Sequence, residues 1–203
     1  MNDSQPDKKY LRTDEWLELL EATRFAHSRL AEIENPHAWR WVIIGTVLAL
    51  QGACVLALRG EDSTGSNLLE KGQREAYLEW LSSTPIKPTK KWKNASVASL
   101  FRRVCGEDAE IPAPYSAKLT SQEYKDVEKA IELRNEFIHF GEQGLSLELA
   151  GLSRICRASW KTVRHLCINF PTFSHGRNQD WLYEMKSIID SIELKLTQHE
   201  SSQ

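Results

Sequence analysis

Arg134, Asn135 and His139 are the residues of this 203-residue chain whose types and spacing are most suggestive of chemistry. They lie in the run Glu132-Leu133-Arg134-Asn135-Glu136-Phe137-Ile138-His139-Phe140. With Arg134 as zero and roughly 100° per residue, Val127 falls near 20°, Ala130 near −40°, Ile131 near 60°, Phe137 near −60° and Ile138 near 40°. Arg134 is therefore centred on an apolar stripe. Asn135 falls near 100° and His139 near 140° on the same wheel, one turn apart on one flank. A cation on a buried face is costly unless it is paired or lines a cavity or interface. Two readings are open on the residues alone. In one, Arg134 pairs with a buried carboxylate from another helix, and His139 is an ordinary helix-end histidine stabilised by the helix dipole. In the other, a fixed cation, an amide and an imidazole converge on a cleft.

The element that must present these residues opens at Thr120-Ser121-Gln122-Glu123. This is a capping box, in which the Thr120 hydroxyl caps the Glu123 amide and the Glu123 carboxylate reaches back. Its helix is expected to run to about Phe140, with Gly141 as the stop. Around it, periodicity and caps predict helices over residues 13–33 (capped by Thr13), from Asn35-Pro36 to Arg59, from Ser66 to about Leu81, from Ser96 to about Cys105, from Ser146 to Phe170 and over residues 180–198. The Pro- and Lys-bearing stretch 82–95 and the stretch 106–116, with Pro112 and Pro114, read as loops. No alternating strand pattern is convincing. The expectation is an all-α bundle of about seven helices, with residues 1–12 as a flexible N-terminus and 13–200 as one domain.

Arg134-Asn135-x-x-x-His139 at the end of an amphipathic helix resembles the signature of the HEPN superfamily. That signature is an Arg, four to six residues, then His, with a polar residue, often Asn, directly after the Arg. Four residues intervene here, and Leu133, Phe137 and Ile138 match the family's apolar pattern. The likeness covers about 30 residues closely and otherwise extends only to helical character. It implies a metal-independent endoribonuclease, acting as a toxin or in antiviral defence and working as a homodimer whose two motifs face each other. In that scheme Arg134 stabilises charge on a phosphorane-like transition state, since its fork matches phosphate oxygens. His139 is general base or acid for attack by the ribose 2′-OH. Asn135 orients His139 or the phosphate. Products would end in a 2′,3′-cyclic phosphate, and DNA would be inert. Some family toxins are silenced by modification of a Tyr two residues beyond the His; that place is Gly141 here, which removes the acceptor. An antitoxin or other regulatory protein remains an expected partner. Glu128 and Glu132 share the flank of Asn135 and His139, either as solvated charges or, for Glu132, as a hydrogen-bonding group across the site.

The net charge of −2 looks unfavourable for an RNA partner until the chain is segmented. Residues 87–103 hold six cations and no acid, among them Lys90, Lys91, Lys93, Arg102 and Arg103, with Trp92 between the lysines. Residues 149–179 hold five more cations and no acid, including Arg154, Arg157, Lys161 and Arg164 along one helix face. The rest of the chain carries 15 cations against 28 acids. Lys90, Lys91, Lys93, Arg102, Arg103, Arg157, Lys161 and Arg164 thus offer a phosphate track, with Trp92 to stack on a base. The alternative is a solvated face paired with the acidic remainder. Trp160 and Trp181 read as core.

Other chemistry is poorly represented. The chain has no His-Glu-x-x-His, Gly-rich phosphate loop, Gly-x-Ser-x-Gly elbow or Cys-x-x-Cys pair, so neither metal nor cofactor is expected. With 41% hydrophobic and 27% charged residues, global disorder and a fibre are excluded. The N-terminal residues lack the basic-then-apolar order of a secretory signal, so the expectation is a cytoplasmic protein with reduced thiols. The apolar run 42–58 is short for a membrane span and has Gln51 within it, so it reads as a fully buried central helix. Two rivals remain to the ribonuclease reading. One is a non-catalytic HEPN-like module binding RNA or nucleotide within a larger complex. The other is a membrane-associated helical protein using 42–58.

Overall fold

A computed structural model describes residues 13–59, 64–83, 91–108, 117–139, 146–169 and 179–202. The expected flexible segment 1–12 lies outside the described residues, as do Lys90, Phe140, Gly141 and Phe170. Among those described, seven α-helices and no strand form an all-α bundle.

Helix α1 spans Glu15–Arg29 and is capped by Asp14, not Thr13: one Asp14 carboxylate oxygen accepts from the Trp16 and Leu17 amides, both at 2.9 Å. A full negative charge at the positive helix end outcompetes a hydroxyl, and the Thr13 hydroxyl turns to Glu18 instead. The helix stops at Arg29 and tightens into a 3₁₀ turn, Leu30–Glu32, short of the expected Ile33. Asn35 then accepts from the His37 amide at 3.0 Å, and α2 begins at Ala38, two residues beyond Pro36.

Helix α2, Ala38–Arg59, is the central element, and its burial follows from an almost unbroken apolar sequence. It is long and apolar enough to cross a membrane, yet 67% of its most apolar window is buried against protein. It is not fully buried as expected: Trp41 and Leu48 stay 45% and 39% exposed, one stripe of the helix left uncovered. Two glycines let α1 approach. A Cβ on Gly45 would lie 3.0 Å from the Ala26 Cα, which is backbone and cannot move aside, while one on Gly52 would lie 3.2 Å from the Leu19 Cβ. Helix propensity favours Ala over Gly by about 1 kcal/mol, whereas overpacking costs roughly 1–3 kcal/mol. Gly45→Ala is therefore expected to lower the urea midpoint, and Gly52→Ala to leave it nearly unchanged.

The predicted helix from Ser66 does not form as one piece. A 3₁₀ turn, Ser66–Leu68, leads to an isolated antiparallel bridge between Leu69 and Asn94, with Glu70 N–H donating to the Lys93 carbonyl at 2.9 Å. Gly72, at φ +79°, breaks the helical path, and α3 starts only at Arg74 and runs to Ser82. Helix α4, Val97–Val104, is capped by Ser96 as expected. Helix α5, Ser121–Ile138, carries both halves of the Thr120–Glu123 capping box. Helix α6, Leu152–Cys167, opens at Gly151 and not at Ser146, because Gly151 takes a left-handed φ of +87° that ends the preceding non-helical stretch. Helix α7 spans Gln179–Ser201.

One hydrophobic cluster draws on every helix except α3, which buries no residue. Trp160 lies inside it with its indole N–H on the Thr46 hydroxyl at 3.1 Å, and Trp181 meets Trp16 edge-on at 5.1 Å, so both are core as expected. The four cysteines are free thiols. Burial pushes the thiols of Cys105 and Cys156 up to about 12 and those of Cys54 and Cys167 upward as well. The thiolate is the reactive form. Native protein at pH 8 is therefore expected to react with a disulfide reagent far more slowly than protein unfolded in guanidinium; rapid release of four equivalents from the native state would contradict this burial.

Candidate active site

The apolar stripe of α5 is buried through Val127, Ala130, Ile131 and Leu133, then leaves the core in its last turn, where Phe137 is half-buried and Ile138 is 40% exposed. Arg134 sits at this transition, which explains how a cation occupies the middle of an apolar stripe. It is half-buried, and its Nε is shielded from solvent with no hydrogen-bond partner among the described residues. Its Nη1 donates to the Asn135 amide oxygen at 3.0 Å. No ion pair to Arg134 occurs among the described residues. The buried carboxylate of α5, Asp126, pairs instead with Arg154 of α6 at 3.2 Å. Of the two readings of Arg134, the one that needs a buried carboxylate partner finds none among the described residues.

His139 is the C-cap of α5. Its backbone turns out of the helix at φ −91° and ψ 83°, its N–H donates to the Asn135 carbonyl at 3.0 Å, and its side chain is exposed. Asn135 touches Arg134 here; among the described residues no bond joins its side chain to His139. Glu128 and Glu132 bond to Arg102 at 3.2 Å and to Lys129 at 3.1 Å. One contact had no signal in the sequence. Arg40 of α2 donates from Nη2 to the Phe137 carbonyl at 2.7 Å, across 97 positions of chain.

The chain matches no protein-family model, no curated protein and no solved structure.

The cations expected to form a phosphate track separate into groups. On α6, Arg157 pairs with Glu200, Lys161 with Glu123 at 2.6 Å, and Arg164 with Asp190 at 2.5 Å and Glu193 at 2.9 Å. The Lys161 bond, and secondarily the Thr120 amide, hold the Glu123 carboxyl below its ordinary range. These cations line a cleft of about 370 Å³ between α5, α6 and α7 whose charge is balanced by carboxylates from the flanking helices. The α6 stripe is thus a paired face, the alternative that spacing alone left open. Arg103 leaves the RNA-contact set as a correction: it is 4% exposed, donates to the Asn67 and Leu69 carbonyls at 3.0 and 2.8 Å, and pairs with Asp108 at 3.2 Å. Its neighbour Arg102 is exposed and pairs with Glu128. Trp92 is half-buried, with ring centroids 5.2 Å from Tyr77 and 6.4 Å from Trp80, so its ring contacts secure α3 to the 91–95 segment. Lys91 and Lys93 remain as exposed cations, and Lys90 lies outside the described residues.

Proposed function

We propose that this protein is a metal-independent endoribonuclease of HEPN type, acting in the cytoplasm as a toxin or antiviral-defence effector, and that Arg134, Asn135 and His139 of two copies form its active site. The observation that carries this reading is the half-buried Arg134 guanidinium with no carboxylate counterion among the described residues, five residues before an exposed histidine. A cation that the described residues leave unneutralised is available to an anion, and its fork suits the non-bridging oxygens of a phosphodiester. Pairing across a homodimer seam accounts for the exposed Ile138 and the departure of the α5 stripe from the core. His139 takes the 2′-OH proton or protonates the leaving 5′-oxygen, and Arg134 holds the charge that develops on phosphorus. No resident metal or cofactor is needed, and a regulatory protein is the expected partner.

The test incubates purified protein with single-stranded RNA in EDTA, beside an Arg134→Ala/His139→Ala variant. Cleavage by the wild type alone, leaving 2′,3′-cyclic phosphate ends and sparing DNA, is the expected result. Equal cleavage by both proteins, or none by the wild type, rejects the reading. The exposed Lys91 and Lys93 support a second reading: an HEPN-like module that binds RNA or nucleotide as a subunit without cutting it. Binding that survives loss of His139 without any cleavage would select it.

A further inference from the structure

Helix α5 ends between the two residues of its motif. The last four carbonyls of a helix have no intrahelical donor beyond it. For α5 these are the carbonyls of residues 135–138; the Asn135 carbonyl is taken by the His139 N–H, and the Phe137 carbonyl by the Nη2 of Arg40 at 2.7 Å. Phe137 lies three residues after Arg134 and two before His139, so the carbonyl that Arg40 grips is in the last turn of α5, two residues before the backbone leaves the helix at His139. Arg40 is itself held. Its guanidinium carbon lies 5.3 Å from the centre of the Trp41 ring, and Trp41 meets Phe25 of α1 edge-on at 6.4 Å. A charged donor on the rigid central helix is thus fixed against the last turn of α5. Positive charge is also favoured at a helix C-terminus.

We infer that Arg40 is a positioning residue for the Arg134–His139 pair: by holding the Phe137 carbonyl it sets where His139 leaves the helix relative to the Arg134 guanidinium. Its effect on cleavage rests on the ribonuclease reading; its effect on the turn does not. Arg40→Met keeps an apolar stem and removes donor and charge, whereas Arg40→Lys restores one charged donor.

Two measurements on the full chain decide the matter. The first is amide hydrogen exchange. In Arg40→Met the His139 amide is expected to exchange at least about tenfold faster, with the Val127 and Ala130 amides as internal controls and Arg40→Lys recovering part of the protection. Unchanged exchange at His139, or an equal rise along all of α5, overturns the inference. The second is cleavage of a single-stranded oligoribonucleotide. Misplacing a catalytic group by about 1 Å can cost on the order of 10²-fold, so kcat is expected to fall by about ten- to a hundredfold with KM little changed. A rise in KM at constant kcat would make Arg40 a phosphate-binding group and overturn the positioning role. If the wild type does not cleave, the ribonuclease reading fails by itself, and the exchange result still decides whether Arg40 holds the turn.

Discussion

His139→Ala is expected to reduce RNA cleavage by about 10²–10⁴-fold, the usual contribution of a positioned general acid or base. The loss should fall on kcat, because an exposed imidazole at the helix end contributes little to holding substrate and acts on a proton in flight. Arg134→Ala is expected to cost about 10²–10³-fold, the range for removing one charge-stabilising donor. Arg134→Lys should recover only part of this, since a point charge cannot present two parallel donors. Asn135→Asp is a sharper probe. Its amide oxygen already lies 3.0 Å from Arg134 Nη1, so the substitution installs a counterion where the described residues supply none. Cleavage should fall although Arg134 and His139 both remain, the Asn135 amide being the one native donor removed. Gel-based kinetics in EDTA, with circular dichroism confirming the fold, checks all four variants. Full activity in Asn135→Asp would mean that the free charge of Arg134 is not what binds phosphate.

Arg103→Met is expected to cost about 3 kcal/mol of stability, near the lower end for removing one partner of a buried ion pair, because the Asp108 side chain is 23% exposed and partly solvated. The Met stem fills much of the volume but leaves the Asn67 and Leu69 carbonyls without the donor that now serves both. At about 2–4 °C per kcal/mol for a chain of this size, the melting midpoint should fall by roughly 6–12 °C. Arg102→Met is the control. Arg102 and Glu128 are 58% and 37% exposed at their side chains, and such a pair contributes about 0–1 kcal/mol. Thermal and urea melts of the two variants should differ clearly although the residues are adjacent. Equal midpoints would mean that Arg103 does not staple the 67–69 turn to α4.

Those neighbouring arginines show how far the candidate site was legible. Both stood in an acid-free basic run and looked alike as phosphate contacts. Burial separates them, and burial depends on the turn at residues 66–69 reaching α4 from 34 to 36 positions away. The α6 stripe repeats the point. Its spacing of three and four was readable, but its partners Glu193 and Glu200 lie on α7, 29 and 43 positions along the chain.

The sequence by itself determined the all-α class, the capping box of α5, the Ser96 cap, the central place of α2 and the core roles of Trp160 and Trp181. Each rests on interactions within a few residues or on an apolar pattern that has only one way to be buried. The same local logic placed Arg134, Asn135 and His139 on one helix end. Only the tertiary structure decided which charges are spent and which are free. Among the described residues Arg134 is left without a carboxylate, Arg103 is locked inside, the α6 cations are neutralised, and Arg40 is brought to the last turn of α5. Long-range pairing depends on which helix faces meet, and in an almost wholly apolar helix such as α2 nothing local specifies what Arg40 will touch.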